Sequence, residues 1–417
     1  MTTPDLTELA RRVRAASRSV ARAPGPVRDD ALRLAADLLE QESASLLEAN
    51  RGDLARAESD GMAASAQDRL RLSEERIRGM AAGLRGVAAL ADPVGEVVNG
   101  SVRPNGLRVS RVRVPLGVLG VIYENRPNVT SDAAGLCLKA GNAAFLRGSA
   151  SALASNQAIV AILRRAVEKA GLPSDAVALV EDTSHETAVA FMRLRGLIDC
   201  LIPRGGPALI ASLLENATVP YVLDGDGNCH VYIDAAADLS MALDIVVNAK
   251  THRFGVCNAA ETILVHAAVA SAFLPVMAEA LVAAGVELRG DERVRAAVPG
   301  AGVATEADFA TEFLGPIVAV GVVDDLDGAI DHIARFSSGH SEAIVTTDVR
   351  VADRFVAEVD AAAVVVNAST RFIDGEELGL GAEVGISTQK LHARGPMGVR
   401  ELTSVKWVVR GDGQVRR

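Results

Sequence analysis

From Gly117 to Gly225 the chain repeats one unit: a short apolar run, then a longer segment with apolar residues at helical spacing. The apolar runs are "GVLGVIYE", "AAFLRG", "AVALVE", "IDCLIPRGG" and "PYVLDG". Between them lie "PNVTSDAAGLCLKAG", "ALASNQAIVAILRRAVEKAG", "SHETAVAFMRL" and "PALIASLLENA". Runs apolar at every position suit strands buried on both faces, which is the condition of a parallel sheet. Parallel neighbours need long crossovers, and helices supply them with a right-handed path. The repeat therefore predicts an α/β fold with a doubly wound parallel sheet.

A second series of the same kind follows "CHVYID": the helix "DLSMALDIVVNAKTH", then "TILVH", "VASAFLPVMAEALVAAG", "IVAVGVVDDLDGAIDHIARF", "SEAIVTT", "VRVADRFVAEV" and "AAVVVN". Residues 5–90 are helical in pattern. Residues 97–115 alternate apolar and polar around "PNG" and predict a hairpin. The tail from Ile386 ends in another alternating strand, suited to pair with that hairpin in an oligomer. A chain of 417 residues exceeds one ordinary domain. The break between the two series, near 235–240, is the expected domain boundary. Hydrophobic residues make up 49% and aromatic residues 3%, so Ala, Val and Leu must fill the cores.

The net charge of −10 argues against a nucleic-acid or anionic-membrane surface. No window of about 18 apolar residues is present, and the N-terminus lacks an apolar signal core, so a soluble, cytoplasmic protein is expected. Cys137, Cys200, Cys229 and Cys257 show no CxxC spacing, and the seven histidines show no ligand-pair spacing. Neither a disulfide framework nor a metal site is expected.

Three stretches carry candidate chemistry. In "PRGGPALI", Gly205 and Gly206 join a strand to a helix, where backbone can approach a pyrophosphate. A complete GxGxxG is absent. In "FLRGSASA", Arg147 ends a strand at the edge where nucleotides lie in open sheets, with Ser149 in the same turn. Position 150 is Ala, not an acid. An Arg without a nearby acid favours a ribose 2′-phosphate, hence NADP(H). In "KTHRFGVCNAAETILVH", Cys257 lies in a Gly-containing bend before a strand. The other three cysteines sit inside helix or strand patterns and read as packing. Cys257 reads as either a small buried hydrophobe or a nucleophile whose thiolate and oxyanion neighbouring amides stabilise.

"FGVCNAAETILV", "VIYENRPNVTSDAAGLCLKAGNAAFLRGS", "GDGNCHVYID", "FSSGHSEAIVT", "VNASTRF" and "LGLGAEVGISTQKLHARGPMG" resemble the gamma-glutamyl phosphate reductase family of the aldehyde dehydrogenase superfamily. The resemblance runs from "ANRGDLARAE" to "ELTSVKW". It implies NADPH-dependent reduction of L-glutamyl 5-phosphate to L-glutamate 5-semialdehyde and phosphate, through a Cys thioester, in proline biosynthesis. It also implies an NADPH-binding domain (1–96, 116–237), a catalytic domain (238–367) and an oligomerisation flap (97–115, 368–417). A homo-oligomer and contact with glutamate kinase follow from it as partners.

By motif, Cys257 takes the nucleophile position and Arg147 that of the superfamily's cofactor-binding Lys. Gly205 and Gly206 fall on the pyrophosphate turn. "EFLGP" makes Glu312 the ligand of the nicotinamide ribose. Asn125 in "NRP" resembles the oxyanion-hole Asn, with Asn128 as the competing choice. The chain departs from hydrolytic relatives at "LDGDGN", which stands where they carry a general-base Glu. Asp224 and Asp226 are nearby but shorter, which fits a reductase that needs no activated water. That departure weighs against a hydrolytic enzyme, and the intact Cys257, Arg147 and Glu312 set against a non-catalytic scaffold. Glu261, four residues after Cys257, is set aside as a base for the same reason. An anionic substrate needs cations; Arg126, Arg371 and the loop Gln389–Gly395 are the candidates.

Overall fold

The computed structural model describes residues 3–223 and 225–416, which fall into two compact units. The first comprises 1–223, 379–385 and 397–417; the second comprises 224–378 and 386–396.

The first unit begins with the helices Thr3–Arg22, Gly25–Gln41, Ser43–Ser59, Ala64–Leu70 and Glu74–Ala89. Apolar residues three and four apart make a buried face on Gly25–Gln41 and Glu74–Ala89, while Ser43–Ser59 buries Asn50 and Asp53 beside Leu46 and Ala57. Glu74–Ala89 buries Ile77, Met80, Ala81, Leu84 and Val87, and starts where the Ser73 hydroxyl accepts the Arg76 N–H. The hairpin β1 (Val97–Val102) and β2 (Arg108–Pro115) follows. Its turn holds Gly106 at φ 86°, a backbone that other residues rarely adopt. The tail strand Thr403–Arg410 pairs antiparallel with β2 along its whole length. The pairing expected between chains is thus already made within one.

The parallel sheet of this unit is built from β3 (Val118–Tyr123), β4 (Ala143–Arg147), β5 (Val177–Leu179) and β6 (Cys200–Arg204), in the order β5-β4-β3-β6. Every residue of β3 is buried. At Gly120 a Cβ would meet Leu201 at 2.7 Å and Phe191 at 3.1 Å, so a glycine is what lets β6 and the helix His185–Met192 close on the strand. Phe145 and Phe191 meet edge to face at 4.8 Å in that core. The fifth expected strand, "PYVLDG", is reduced to a single parallel bridge between Leu201 and Tyr221. Pro220 offers no N–H, and the two ladder bonds made run from Leu201 N–H to the Pro220 carbonyl and from Val222 N–H to the Leu201 carbonyl.

The second unit is a seven-stranded parallel sheet of β7 (Cys229–Ile233), β8 (Ala260–His266), β9 (Glu287–Gly290), β10 (Gly302–Val303), β11 (Ile317–Val323), β12 (Ser341–Val345) and β13 (Ala363–Val366). Its order is β10-β9-β11-β8-β7-β12-β13. The division between units falls at 223/224, earlier than the expected 237/238, because β7 pairs with β8 and β12 and so belongs to this sheet. β9 and β10 are too short to stand out as periodic runs. Phe273, Leu274, Met277 and Leu281 of the helix Ala267–Ala283 pack on Ile263, Val265, Val318 and Val320.

Candidate active site

The candidate residues divide between the two units. Arg147, Ser149, Gly205, Gly206, Asn125 and Asn128 lie in the first; Cys257 and Glu312 lie in the second.

In the first unit the candidates stand at the carboxyl ends of strands, where open sheets bind ligands. Arg147 ends β4. Its Nη2 donates to the carbonyls of Thr183 at 2.7 Å and Ser184 at 3.1 Å, in the loop after β5. Its Nε is buried without a partner. Burial pulls its pKa below the usual guanidinium value, against the opposing pull of Asp182 and Glu124. Gly205 and Gly206 follow β6 and open the helix Pro207–Asn216. The Gly206 N–H donates to Glu124 Oε2 at 3.1 Å, and a Cβ at Gly205 would meet the Glu124 carboxyl carbon at 2.7 Å. A carboxylate at a helix start is favourable for the same reason a phosphate is.

Asn125 follows β3 at φ 37°, a strained backbone for any residue other than glycine. Its N–H donates to Ser149 Oγ at 3.2 Å. Its Oδ1 accepts from Ser149 Oγ at 3.1 Å and from Ser151 Oγ. In this orientation the carbonyl oxygen faces two hydroxyls and the NH₂ end is left to donate elsewhere. Asn128, at the start of the helix Asn128–Lys139, is placed differently. Its NH₂ already donates to Asp132 Oδ2 at 2.9 Å. The Asp132 carboxyl is pushed up to about 6 by burial, against the bonds from Asn128 and Ser131.

In the second unit the candidates stand at the amino ends of strands. Gly227 precedes β7, Cys257 precedes β8, Glu312 precedes β11, and Ser338, whose Oγ accepts the Asn228 N–H at 3.0 Å, precedes β12; these strands are neighbours in the order β11-β8-β7-β12. Sheet order therefore gathers loops that the sequence holds up to 111 residues apart.

Cys257 is half-buried in the loop between the helix Leu239–Thr251 and β8. Gly227 lies flat against its backbone: a Cβ there would fall 1.7 Å from the Cys257 carbonyl oxygen and 2.5 Å from its Cα. The Gly227 N–H donates to Glu312 Oε1 at 2.9 Å. The nucleophile candidate and the carboxylate candidate thus share one neighbour. Cys229 Sγ donates to the Cys257 carbonyl at 3.1 Å from beneath. Asn258 is buried; its Nδ2 donates to the Ile373 carbonyl at 2.9 Å, and its own carbonyl accepts from Thr370 Oγ1 at 2.6 Å.

Glu261 is held in an ion pair with Lys250, Oε2 to Nζ 2.5 Å, with both side chains fully buried. Its Oε1 accepts the N–H of Leu314 at 3.2 Å. Leu314 sits at φ 52° in the loop that carries Glu312. Glu261 therefore braces the site.

Cys137, Cys200 and Cys229 are buried, and burial pushes each thiol up, that of Cys200 to about 12. They are packing residues, as their positions predicted. Asp226 is exposed, and Asp224 lies outside the described residues.

Gly227 and Lys250 carried no role in the sequence reading. Gly227 shows only as one glycine in "GDGN". Glu261 had a signal: it is a charge at the head of the apolar run "TILV", and a buried charge needs a partner.

The chain matches the sequence profile of the aldehyde dehydrogenase family over residues 1–298 and 301–408. It belongs to the aldehyde dehydrogenase family, and it is an oxidoreductase. Within that family it stands among the gamma-glutamyl phosphate reductases. It is 56% identical over 406 residues to the one from Moorella thermoacetica, covering 97% of each chain. It is 54% identical to that of Kineococcus radiotolerans, covering 98% of this chain and 95% of the relative. The crystal structure of the gamma-glutamyl phosphate reductase from Thermotoga maritima is 48% identical and superposes with a TM-score of 0.96, covering 98% and 99% of the two chains. An acetylating aldehyde dehydrogenase from Geobacillus thermoglucosidasius shares the fold at 17% identity and a TM-score of 0.70, covering 100% and 98%. Among the described residues no helix is long and apolar enough to cross a membrane.

Proposed function

We propose that this chain reduces L-glutamyl 5-phosphate to L-glutamate 5-semialdehyde and phosphate, as the names of its relatives describe, and that Cys257 is the nucleophile. The observation that carries the assignment is the packing of Gly227. It presses on the backbone of Cys257 and bonds to Glu312, so that thiol and carboxylate are held in one framework.

The Cys257 thiolate attacks the acyl carbon, and phosphate leaves with the bonding electron pair. The product is a thioester on Cys257. NADPH, held by residues of the first unit, would supply the hydride for reduction of this thioester. The resulting thiohemiacetal expels the thiolate and frees the aldehyde. Asn125 is assigned the side-chain oxyanion donor by its resemblance to the Asn of the superfamily's motif; its carbonyl end faces Ser149 and Ser151. Asn258 is committed to the Ile373 carbonyl through Nδ2 and holds the loop in place. No carboxylate acts as a base on water. The acid nearest in sequence to Cys257 on the strand side, Glu261, is occupied by Lys250.

The residues of the first unit fit a nicotinamide cofactor. Arg147 carries a buried Nε without a partner at the carboxyl end of β4, and the Gly205–Gly206 turn opens a helix. Arg147 with Ala150 favours the 2′-phosphate of NADP(H). A fold neighbour, an engineered glycolyl-CoA reductase, was solved with bound NADP+. Glu312, by its place in the "EFLGP" motif, would hold the nicotinamide ribose. The three-stranded sheet carries exposed Val97, Val102, Trp407 and Val409, which suits a homo-oligomer contact. A cytoplasmic location, and contact with the glutamate kinase that makes the acyl phosphate, complete the reading.

The test is Cys257→Ala and Cys257→Ser, assayed in reverse as phosphate-dependent reduction of NADP+ by the semialdehyde. Both variants should lose activity by several orders of magnitude. Near-normal turnover in either one contradicts the assignment.

A further inference from the structure

The turn Thr370–Phe372, a stretch of "VNASTRF", is fastened to the nucleophile loop on both sides of Arg371. Before it, Thr370 Oγ1 donates to the Asn258 carbonyl at 2.6 Å. After it, the Ile373 carbonyl accepts from Asn258 Nδ2 at 2.9 Å. Asn258, Thr370 and Ile373 are all buried. Arg371 is thereby carried at a set distance from the residue next to Cys257.

Its side chain is fixed as well. Nε donates to His252 Nδ1 at 3.3 Å, at the start of the same loop. That bond uses the one guanidinium nitrogen not needed for a fork, and it leaves both Nη groups to act together. Among the described residues no carboxylate comes within ion-pair distance of Arg371. Several arginines of this unit form ion pairs, among them Arg289 with Asp308 at 2.7 Å and Arg394 with Asp360 at 2.7 Å. Arg371 is half-buried, and burial pulls its pKa below the usual value. Asp374, Cys257, Arg253 and Glu377 also act on it through space, Cys257 among those that favour its charge. A half-buried guanidinium with an open fork gains most from a planar or tetrahedral oxyanion that meets two N–H groups at once. The substrate brings two, an α-carboxylate and a phosphoryl group.

We propose that Arg371 is a substrate-binding and specificity-determining residue that grips an oxyanion of the acyl phosphate beside Cys257, an assignment that rests on the reaction given above. The side chain orients the acyl carbon toward the thiol by holding a charged group that does not itself react. An analogue without that group loses the contact.

The experiment uses the full chain with Arg371→Gln and Arg371→Lys in the reverse assay, with glutamate 5-semialdehyde, inorganic phosphate and NADP+. The Gln variant should raise the KM of one anionic substrate about 10–100-fold, the loss expected for a charge-assisted pair, and leave the KM of NADP+ near wild type. A rise in the semialdehyde KM assigns Arg371 to the α-carboxylate; a rise in the phosphate KM assigns it to the phosphoryl group. The Lys variant should recover part of the loss. Unchanged KM values for both overturn the proposal. So does a variant in which only the pH dependence of Cys257 alkylation moves, since Arg371 then acts on the thiol alone. Failure of the wild type to reduce NADP+ with phosphate would remove the reaction itself, a result separable from any effect of the variants.

Discussion

Lys250 Nζ and Glu261 Oε2 lie 2.5 Å apart, and neither side chain is exposed to solvent. The pair ties the end of the helix Leu239–Thr251 to β8, the two elements that flank the Cys257 loop. Glu261 also accepts the Leu314 N–H, so the same carboxylate steadies the loop that carries Glu312. Burial pushes Glu261 up to about 7 and pulls Lys250 down, each against the attraction of the other. Removing one partner leaves the other buried and uncompensated; removing both removes the desolvation penalty too.

Two variants separate these roles. Glu261→Ala should destabilise the protein by about 3–5 kcal/mol, seen as a lower denaturation midpoint. The double variant Lys250→Met, Glu261→Leu should regain most of that stability. It should still bind cofactor less well, because Leu314 has lost its acceptor and the Glu312 loop its brace. An unchanged KM for NADPH in a stable double variant would sink the bracing role.

Gly227→Ala is the sharpest test of the framework around the nucleophile. The new Cβ would fall 1.7 Å from the Cys257 carbonyl oxygen, a distance no neighbour can accept, so the loop must shift. A displacement of about 1 Å at a reacting group costs on the order of 100-fold in rate. The expected result is a loss of at least that size in kcat/KM with the chain still folded. Circular dichroism checks the fold, and alkylation by iodoacetamide checks that the thiol remains reachable.

The longer strands and helices were legible because they obey local patterns, whereas β9 and β10 are too short to show one. The run "VLGVIY" is apolar throughout and becomes the fully buried β3; "NG" after Pro104 becomes the turn at Gly106. Cys257 stood out as a thiol in a bend. The site around it was not legible to the same degree, because sheet order makes it. Gly227, Cys257 and Glu312 meet only because β7, β8 and β11 are neighbours, and no local pattern encodes the order of parallel strands. The early unit boundary has the same origin: β7 looks like its predecessors and differs only in which strands it joins. Gly227 itself gives no left-handed backbone to betray it; its need is the closeness of another chain segment.

His340, fully buried at the start of β12, gives the pH dependence a sign. Its Nδ1 lies 2.8 Å from Ser341 Oγ and 3.7 Å from Cys229 Sγ, and its Nε2 has no partner. Burial holds its pKa down at about 4, against about 6.5 in the unfolded chain. Between those values the unfolded chain takes up a proton that the folded chain refuses. Stability is therefore full above about pH 6.5 and is lost as pH falls toward 4, by about 3 kcal/mol from this residue. His332, whose pKa burial lowers to about 3, contributes in the same direction. His340→Gln should flatten the midpoint-against-pH curve between 6.5 and 4. A curve as steep as that of the wild type would show that His340 is not the group being titrated.

The two asparagines of "ENRPN" can be told apart by the partners of their amides. Asn125 has its carbonyl oxygen held by Ser149 and Ser151, which points the NH₂ away from them. Asn128 has its NH₂ spent on Asp132. An oxyanion needs a donor that is already oriented and not otherwise engaged. Asn125→Ala should lower kcat about 10²–10³-fold with little change in the KM of NADPH, while Asn128→Ala should leave kcat near the wild-type value. Ser151→Ala adds a graded test, since one of two hydroxyls remains to hold the flip. It should lower kcat less than Asn125→Ala does. A larger loss in Asn128→Ala than in Asn125→Ala would transfer the donor role, and the φ of 37° at Asn125 would then need another reason.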